Sequence, residues 1–571
     1  MAETPAEPPG RTEIASPFRD ARRAQMYPRL TPAEIDRLRR FGIARDYAAG
    51  EVLVQSGESG HGLTLLLSGE VEITQRGKGR EEQLIVTHAA GSFMGELAQL
   101  SGKPALVDAT AKTDVEAIVI PPDKLRALLV GEAELGERIM RALILRRVGL
   151  LEINVGGPVI VGKEGDVDVL RLETFLSRNG HPHQRLDPEA DADARALIER
   201  FHVAPEELPI VLCPDGRLLR NPTEGSLARC LGLVGPIDPQ RLFDVAVIGA
   251  GPAGLATAVY AASEGLDVLV LDCRAFGGQA GASARIENYL GFPTGISGMA
   301  LMGRAFSQAQ KFGVELVIPD EAVKLECGND PCHILLATDE RVQARSVVLA
   351  TGARYRRLNV DRLEEFEGSC VHYWASPLEA DLCAGQDVAL VGGGNSAGQA
   401  VVYLAARAKH VALIARRPLR ETMSQYLVDR IEGLPNVEVI IGCEIKALHG
   451  EPGLLDGITV VERATGKEVR CSSRFLFSFI GAEPNTDWLQ SSGIRLDNRG
   501  FVLTGDAAGD DRLPLETSRR GIFAVGDVRT GSVKRVAAAV GDGAQVVAAI
   551  HGYLADVPRI DGAIQSPVPA Q

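Results

Sequence analysis

LFDVAVIGAGPAGLATAVYAASEGLDVLVLD, residues Leu242–Asp272, decides the fold. An apolar strand over Asp244–Ile248 runs into Gly249-Ala250-Gly251-Pro252-Ala253-Gly254, and a helix of small residues follows. At this spacing the first glycine permits a tight turn and the second lets backbone approach a pyrophosphate. The third lets the helix pack on the strand. The phosphates then rest on a helix N-terminus, whose amides and dipole favour anions. A second strand, DVLVLD, ends in Asp272, placed to accept a hydrogen bond from a ribose hydroxyl. A lone Gly-x-Gly-x-x-Gly is a weak sign. Strand, turn, helix and acid in register predict a dinucleotide-binding α/β unit.

The pattern returns in QDVALVGGGNSAGQAVVYLA, residues Gln386–Ala405. Gly392, Gly394 and Ala397 take the three glycine roles, with Gly393, Asn395 and Ser396 completing the turn. Here the second strand, HVALIARRP, ends in Ala415-Arg416-Arg417 and carries no acid. Losing the carboxylate and gaining guanidinium groups suits a ribose 2′-phosphate, which Arg binds bidentately. The second site is therefore expected to take NADPH in preference to NADH.

The bulk composition bounds the rest. A chain of 571 residues holds roughly three to five domains. Its 45% hydrophobic and 24% charged content is that of an ordinary soluble globular protein. A net charge of −14 disfavours broad binding to phosphate backbones, so no nucleic-acid partner is expected. No apolar run reaches the ~18 residues of a membrane span. Residues 1–25 lack the apolar core of a signal peptide and read as a disordered tail, so the expected location is cytoplasmic. None of the nine cysteines forms Cys-x-x-Cys, and no His/Cys cluster has zinc spacing. No metal site is expected, and most cysteines read as small buried hydrophobes.

Further pieces carry a family resemblance. AFGGQA (Ala275–Ala280), IENYLGFP (Ile286–Pro293), VVLATGA (Val347–Ala353), FSFIGAEPNT (Phe477–Thr486) and GIFAVGD (Gly521–Asp527) follow in this order. With the two glycine turns they resemble the low-molecular-weight thioredoxin reductases, flavoproteins of the pyridine nucleotide-disulfide oxidoreductase superfamily, over about Leu242 to Pro558. The resemblance implies two Rossmann-like domains, with FAD in 242–357 and 484–558 and NADPH in the inserted 358–483. Residues 559–571 form a tail. It implies FAD contacts from Gly249, Gly251, Pro252, Ala253, Gly254, Asp272, Gly278, Ala350, Thr351 and Gly352, with Gln279 and Asn288 by the flavin. Gly526 and Asp527 would hold the ribityl chain. The helix starting at Lys534-Arg535-Val536 would aim its N-terminus at the ring and stabilise negative charge there. A homodimer is implied, and a rotation of the NADPH domain about joins near Arg354–Leu358 and Ala482–Asn485.

The family carries a redox Cys-x-x-Cys shortly before the NADPH glycine turn. Counted back from Gly392 without gaps, those positions hold Ala375 and Leu378, within ASPL. Disulfide exchange needs a thiolate and a partner sulfur, and neither position has one. The expected reaction is hydride transfer from NADPH to FAD, then electron transfer to a non-disulfide acceptor: oxygen, a quinone or a ferredoxin-like partner. One alternative is a thioredoxin-disulfide reductase using non-standard cysteines: Cys370, Cys383 or those of a partner. Another is a ligand- or redox-sensing scaffold with little turnover.

Two units precede the reductase half. Over residues 26–155, short apolar strands between glycine turns read as a β-roll that resembles a cyclic-nucleotide-binding domain. Gly95-Glu96-Leu97 looks like a remnant of its nucleotide pocket. The family's phosphate-binding Arg falls on Ala105, so a packing or dimer-contact role is expected over a cyclic AMP sensor. No recognition helix follows it. The arginines at 19, 22, 23, 37, 39 and 40 read as a solvated helical face. Residues 156–238 resemble the thioredoxin/glutaredoxin fold. Where that family places its cysteines this chain reads Gly162-Lys163-Glu164-Gly165-Asp166, and Cys213 and Cys230 read as core thiols.

Overall fold

The computed structural model describes residues 17–76, 82–95, 104–152, 157–214, 216–235, 237–326, 331–375 and 377–557. The chain divides into two compact units, Met1–Pro236 with Ser307–Pro319 and Ile237–Phe306 with Asp320–Gln571.

In the first unit, strands alternating inward apolar residues with glycine turns close into a β-roll. One 4-stranded antiparallel sheet has the order β1 (Ile43–Tyr47), β8 (Val115–Ile120), β3 (Leu63–Leu66), β6 (Phe93–Met94). The other runs β2 (Val52–Val54), β7 (Asp108–Ala111), β4 (Glu70–Arg76), β5 (Glu82–Ala89). Leu63, Leu65, Phe93 and Ile118 form a core under α3 (Pro122–Gly131) and α4 (Ala133–Glu152). The expected tail needs correction. Its last residues form α1 (Pro17–Met26), which packs on α4 and buries Met26. An amphipathic stretch with few apolar residues reads as disordered until a partner helix covers its apolar edge. The arginine face is also only partly solvated. On α2 (Pro32–Arg39) Arg37 grips Glu132, and Arg40, just past the helix, reaches the same carboxylate at 2.5 Å.

The following segment has the order β9 (Val159–Val161), α5 (Val167–Arg178), β10 (Gln184–Leu186), α6 (Ala192–Arg200), β11 (Ile210–Leu212), β12 (Leu218–Arg220), α7 (Glu224–Cys230). Its sheet runs β10-β9-β11-β12, with β9 parallel to β10 and antiparallel to β11. The Leu208-Pro209 peptide before β11 is cis. Gly162, at the end of β9, faces this proline: a Cβ there would lie 3.0 Å from Pro209 Cβ. Here a second expectation fails. Cys213 and Cys230 are joined in a disulfide across a sequence separation of 17, with Cα atoms 6.6 Å apart. The end of β11 and the last turn of α7 meet only when the helix folds back on the sheet. Closing a loop of this length stabilises by roughly 3 kcal/mol. Cys230→Ser, or reduction of the wild type, is expected to lower urea stability of the N-terminal unit by about that amount. No change under reductant would mean the bond is absent in solution.

The second unit is built on two parallel sheets. In the first, β13 (Leu242–Ile248) pairs with β14 (Val268–Leu271) and with β18 (Arg341–Leu349), and β18 pairs in parallel with β29 (Ile522–Ala524). A hairpin of β16 (Ala322–Glu326) and β17 (Cys332–Leu336) extends β18 antiparallel. Helices α8 (Pro252–Ser263) and α14 (Val536–Asp556) pack together beside this sheet. The second sheet has the order β20 (Val371–His372), β27 (Phe475–Ser478), β21 (Asp387–Val391), β22 (His410–Ala415), β23 (Val437–Ile441). The two joins pair with each other as an antiparallel ribbon, β19 (Ala353–Tyr355) against β28 (Ala482–Pro484). Among the described residues no helix is long and apolar enough to cross a membrane.

Candidate active site

The first cradle is made by backbone. Gly249 has φ +113, and a Cβ there would lie 2.2 Å from Ala350 O on the neighbouring strand's end. A Cβ on Gly254 would lie 1.8 Å from Gly249 O, so no other residue lets α8 start this close to β13. Gly251 caps α8, Pro252 opens it and Ala253 is buried. A Cβ on Gly278 would be 3.1 Å from Gly251 Cα, and one on Gly526 2.8 Å from Ala253 Cβ. Three chain segments thus converge, without side chains between them, on one helix N-terminus. That cradle fits the pyrophosphate of FAD, since unpaired helix amides face it and any added Cβ would fill it.

Asp272 does more than wait for a ribose. Its carboxylate accepts from Ala250 N at 2.8 Å, Arg274 N at 3.0 Å and Ala275 N at 3.2 Å, bracing the glycine turn. Thr351 Oγ1 donates to Asn485 O at 2.9 Å, and Asn485 Nδ2 donates back to Thr351 O at 2.8 Å. This ties Ala350-Thr351-Gly352 to the return crossing. Gln279 Nε2 donates to Ala353 O, whereas Asn288 is exposed in its loop. Gly526 N donates to Asp542, which pairs with Arg529 at 2.8 Å. Burial pushes the Asp527 carboxyl up from its usual range, against the opposing charge of Lys534. Lys534 Nζ donates to Asp527 O at 2.6 Å. Helix α14 starts at Val536 with Arg535 as its N-cap, and no side chain caps its amides.

The second cradle repeats the geometry with less crowding. Gly392 has φ +149, and a Cβ there would meet Phe479 O at 2.7 Å. Gly394 caps α12 (Asn395–Ala405) and faces open space. Ala397 is buried in the core, so its extra methyl is absorbed by packing. Thr422 Oγ1 donates to Gly393 O at 2.7 Å and Ser424 N to Asn395 Oδ1 at 2.7 Å, clamping the turn from the next loop. Arg416 and Arg417 lie at the end of β22, exposed, with no partner among the described residues. Two free guanidinium groups beside a helix N-terminus fit a 2′-phosphate.

Between the cradles lie residues that no motif announced. Tyr355, on the ribbon, lies close to Ser396 of the second cradle and stands edge-on to Phe479 at 5.1 Å. Arg430 reaches Glu287 of the IENYLGFP loop at 2.8 Å. Ala375 is buried in a core cluster, and Leu378 belongs to α11 (Pro377–Leu382). Beside them Trp374 Nε1 donates to buried Glu379 at 2.8 Å. His372 is held below its usual pKa by burial, with Glu379 opposing. Buried polar residues among apolar neighbours carry no sequence period, which is why they were missed.

The alternative cysteines are poorly placed for exchange. Cys370 Sγ donates to Gly453 O at 3.2 Å and accepts from Leu455 N at 3.4 Å, and its side chain belongs to a different core cluster from Cys383. Burial, then Glu379, pushes the Cys383 thiol up to about 12. A thiol so raised supplies almost no thiolate near neutral pH. Both are free in the structure. In the β-roll, Ala105 is buried in the core where the cyclic-nucleotide family places its Arg. Gly95 O accepts a hydrogen bond from Arg146 Nη1 at 2.9 Å, while Glu96 and Leu97 lie outside the described residues. Among the described residues there is no cluster able to hold a metal ion.

Two nucleotide cradles on linked parallel sheets define a flavin- and nicotinamide-dependent oxidoreductase, and the sequence agrees. The chain belongs to the pyridine nucleotide-disulphide oxidoreductase family, which it matches over residues 243–543. It is a thioredoxin-reductase-like, NADPH-dependent flavin oxidoreductase, with FAD and NADPH as its cofactors. It also contains a cyclic nucleotide-binding domain, matched over residues 44–131. It is 31% identical to the thioredoxin reductase of Bacillus subtilis (strain 168) over 318 residues, 56% of this chain and 96% of the relative. It is 31% identical over 321 residues to a component of the alkyl hydroperoxide reductase of Escherichia coli (strain K12), 56% of this chain and 59% of the relative. With a Bacillus subtilis (strain 168) NADH dehydrogenase it shares 32% identity over 312 residues, 55% of this chain and 58% of the relative. Among solved structures, T. acidophilum thioredoxin reductase superposes with a TM-score of 0.51 at 29% identity, covering 55% of this chain and 99% of that one.

Proposed function

We propose that this chain uses NADPH and FAD to deliver electrons to an acceptor other than a disulfide of its own reductase half: oxygen, a quinone or a ferredoxin-like protein. When bound, the two cofactors supply hydride transfer and storage of the electron pair. The chain's residues bind, orient and shield them. The Gly249–Gly254 turn holds one pyrophosphate, Arg416 and Arg417 hold the 2′-phosphate, and α14 turns an uncapped N-terminus toward charge that develops at the flavin. The carrying observation is the pair of positions before the second cradle. Ala375 is core, and Cys370 and Cys383 are free, buried and separately packed.

In the same reading, residues 156–238 are a thioredoxin/glutaredoxin-like module, supported by strand order β10-β9-β11-β12. The domain boundaries given above, a homodimer and a cytoplasmic location complete the proposal. One observation favours a second reading, a disulfide reductase: the Cys213–Cys230 bond is a disulfide within the chain itself.

Anaerobic titration of the oxidised holoprotein with NADPH separates the two. One equivalent of NADPH per FAD, unchanged in Cys370→Ser and Cys383→Ser, is the expected result. Two equivalents, falling to one in Cys213→Ser, would transfer the assignment to the Cys213–Cys230 pair.

A further inference from the structure

The β-roll holds a partly open cavity of about 60 Å³ that neither cradle uses. Its wall is apolar, with Val54, Ile73, Val86, Met94, Val107 and Leu150 among its lining side chains. One full charge enters it, on Arg146 of α4. This guanidinium is buried, donating from Nε to Met26 O at 2.8 Å and from Nη1 to Gly95 O at 2.9 Å. It lies 4.6 Å from the Phe93 ring centroid and 5.2 Å from that of Tyr27. Its Nη2 has no hydrogen-bond partner, and no acidic residue lines the cavity among the described residues. Tyr27 and His88 are the other titratable groups on the wall, and His88 is held neutral by burial and by the nearby Arg146 charge. Burial also lowers Arg146 to about 10, which still leaves it charged at neutral pH.

A buried guanidinium with an open N–H is unfavourable unless an anion or strong acceptor completes it. The site is wrong for a cyclic nucleotide. Ala105 supplies no charge for the phosphate, where a charge-assisted contact would be needed. The space holds about four to six water-sized groups, since each needs roughly 10–15 Å³ of such volume. We infer that the β-roll cavity binds a short-chain aliphatic monocarboxylate, its carboxylate on Arg146 Nη2 and its tail among the apolar side chains. The carboxylate would accept the open N–H and leave no further charge to bury. Each added methylene would strengthen binding until the cavity is full.

The test is calorimetric titration of the full-length holoprotein with acetate, propanoate, butanoate, pentanoate and octanoate, with 1-butanol and cyclic AMP for comparison. Affinity is expected to peak between propanoate and pentanoate and to exceed that of 1-butanol about tenfold or more, the worth of a charge-assisted hydrogen bond. Arg146→Gln should lose that preference. Val107→Phe, which keeps Arg146 and fills the cavity, should lose about tenfold in affinity for every acid, so a folding defect in Arg146→Gln cannot decide the result alone. Flavin reduction by NADPH should be unchanged in both. Equal binding of acid and alcohol, binding untouched by Val107→Phe, no binding by any acid, or tighter binding of cyclic AMP would each overturn the proposal.

Discussion

Gly254→Val should yield a protein that purifies with less than about a tenth of its flavin and oxidises NADPH at least ~100-fold more slowly. The reason is steric. The first added carbon would already stand 1.8 Å from Gly249 O, well inside van der Waals contact. Helix α8 must move off β13, and it carries the amides of the pyrophosphate cradle with it. Displacements near 1 Å in a positioned site cost about 10²-fold. Overpacking a core position costs typically 1–3 kcal/mol, which a large unit survives folded. Gly303→Ala, at a helix position where a Cβ meets nothing within 4 Å, is the control and should keep its flavin. The visible flavin absorbance per mole of protein, with circular dichroism to confirm folding, decides the matter. A Gly254→Val protein carrying full flavin would mean the cradle lies elsewhere.

The Arg416→Ala, Arg417→Ala double variant should raise KM for NADPH roughly 100-fold while leaving kcat, and KM for NADH, within about twofold. Hydrogen bonds to charged groups contribute ≈ 1.5–3 kcal/mol each, and a phosphate held equally in ground and transition states affects KM alone. Neither arginine has a partner among the described residues, so removing them leaves no buried charge behind. An equal rise for both coenzymes would show that they serve the fold and not the 2′-phosphate.

Glycine turns were legible because their chemistry is local. Gly249, Gly254 and Gly392 each answer to a backbone clash within a few residues or one strand away, and such a clash writes itself into spacing. The β-roll was legible for a similar reason, from alternation and turns. The Cys213–Cys230 bond was not, since it depends on α7 folding back over the sheet. Helix α1 was missed because its stability comes from α4, far along the chain. Asp272 follows the second strand as its spacing implies, yet its bracing of Ala250, Arg274 and Ala275 is a property of the closed turn. Arg146 sat unnoticed in a helix of mixed charge until burial removed its solvent.

By itself the sequence determined the β-roll ahead of two nucleotide turns and the absence of sulfur at Ala375 and Leu378, and it raised the expectation of NADPH at the second turn. These follow from periodicity and from residue types that allow or forbid a local conformation. Only the tertiary structure decided which cysteines meet, that Cys370 and Cys383 are buried thiols of different core clusters, that Tyr355 stands edge-on to Phe479, and that an open guanidinium faces an apolar cavity. Each of these depends on distance and on desolvation. Both are set by packing between segments remote in the chain, where sequence spacing carries no information.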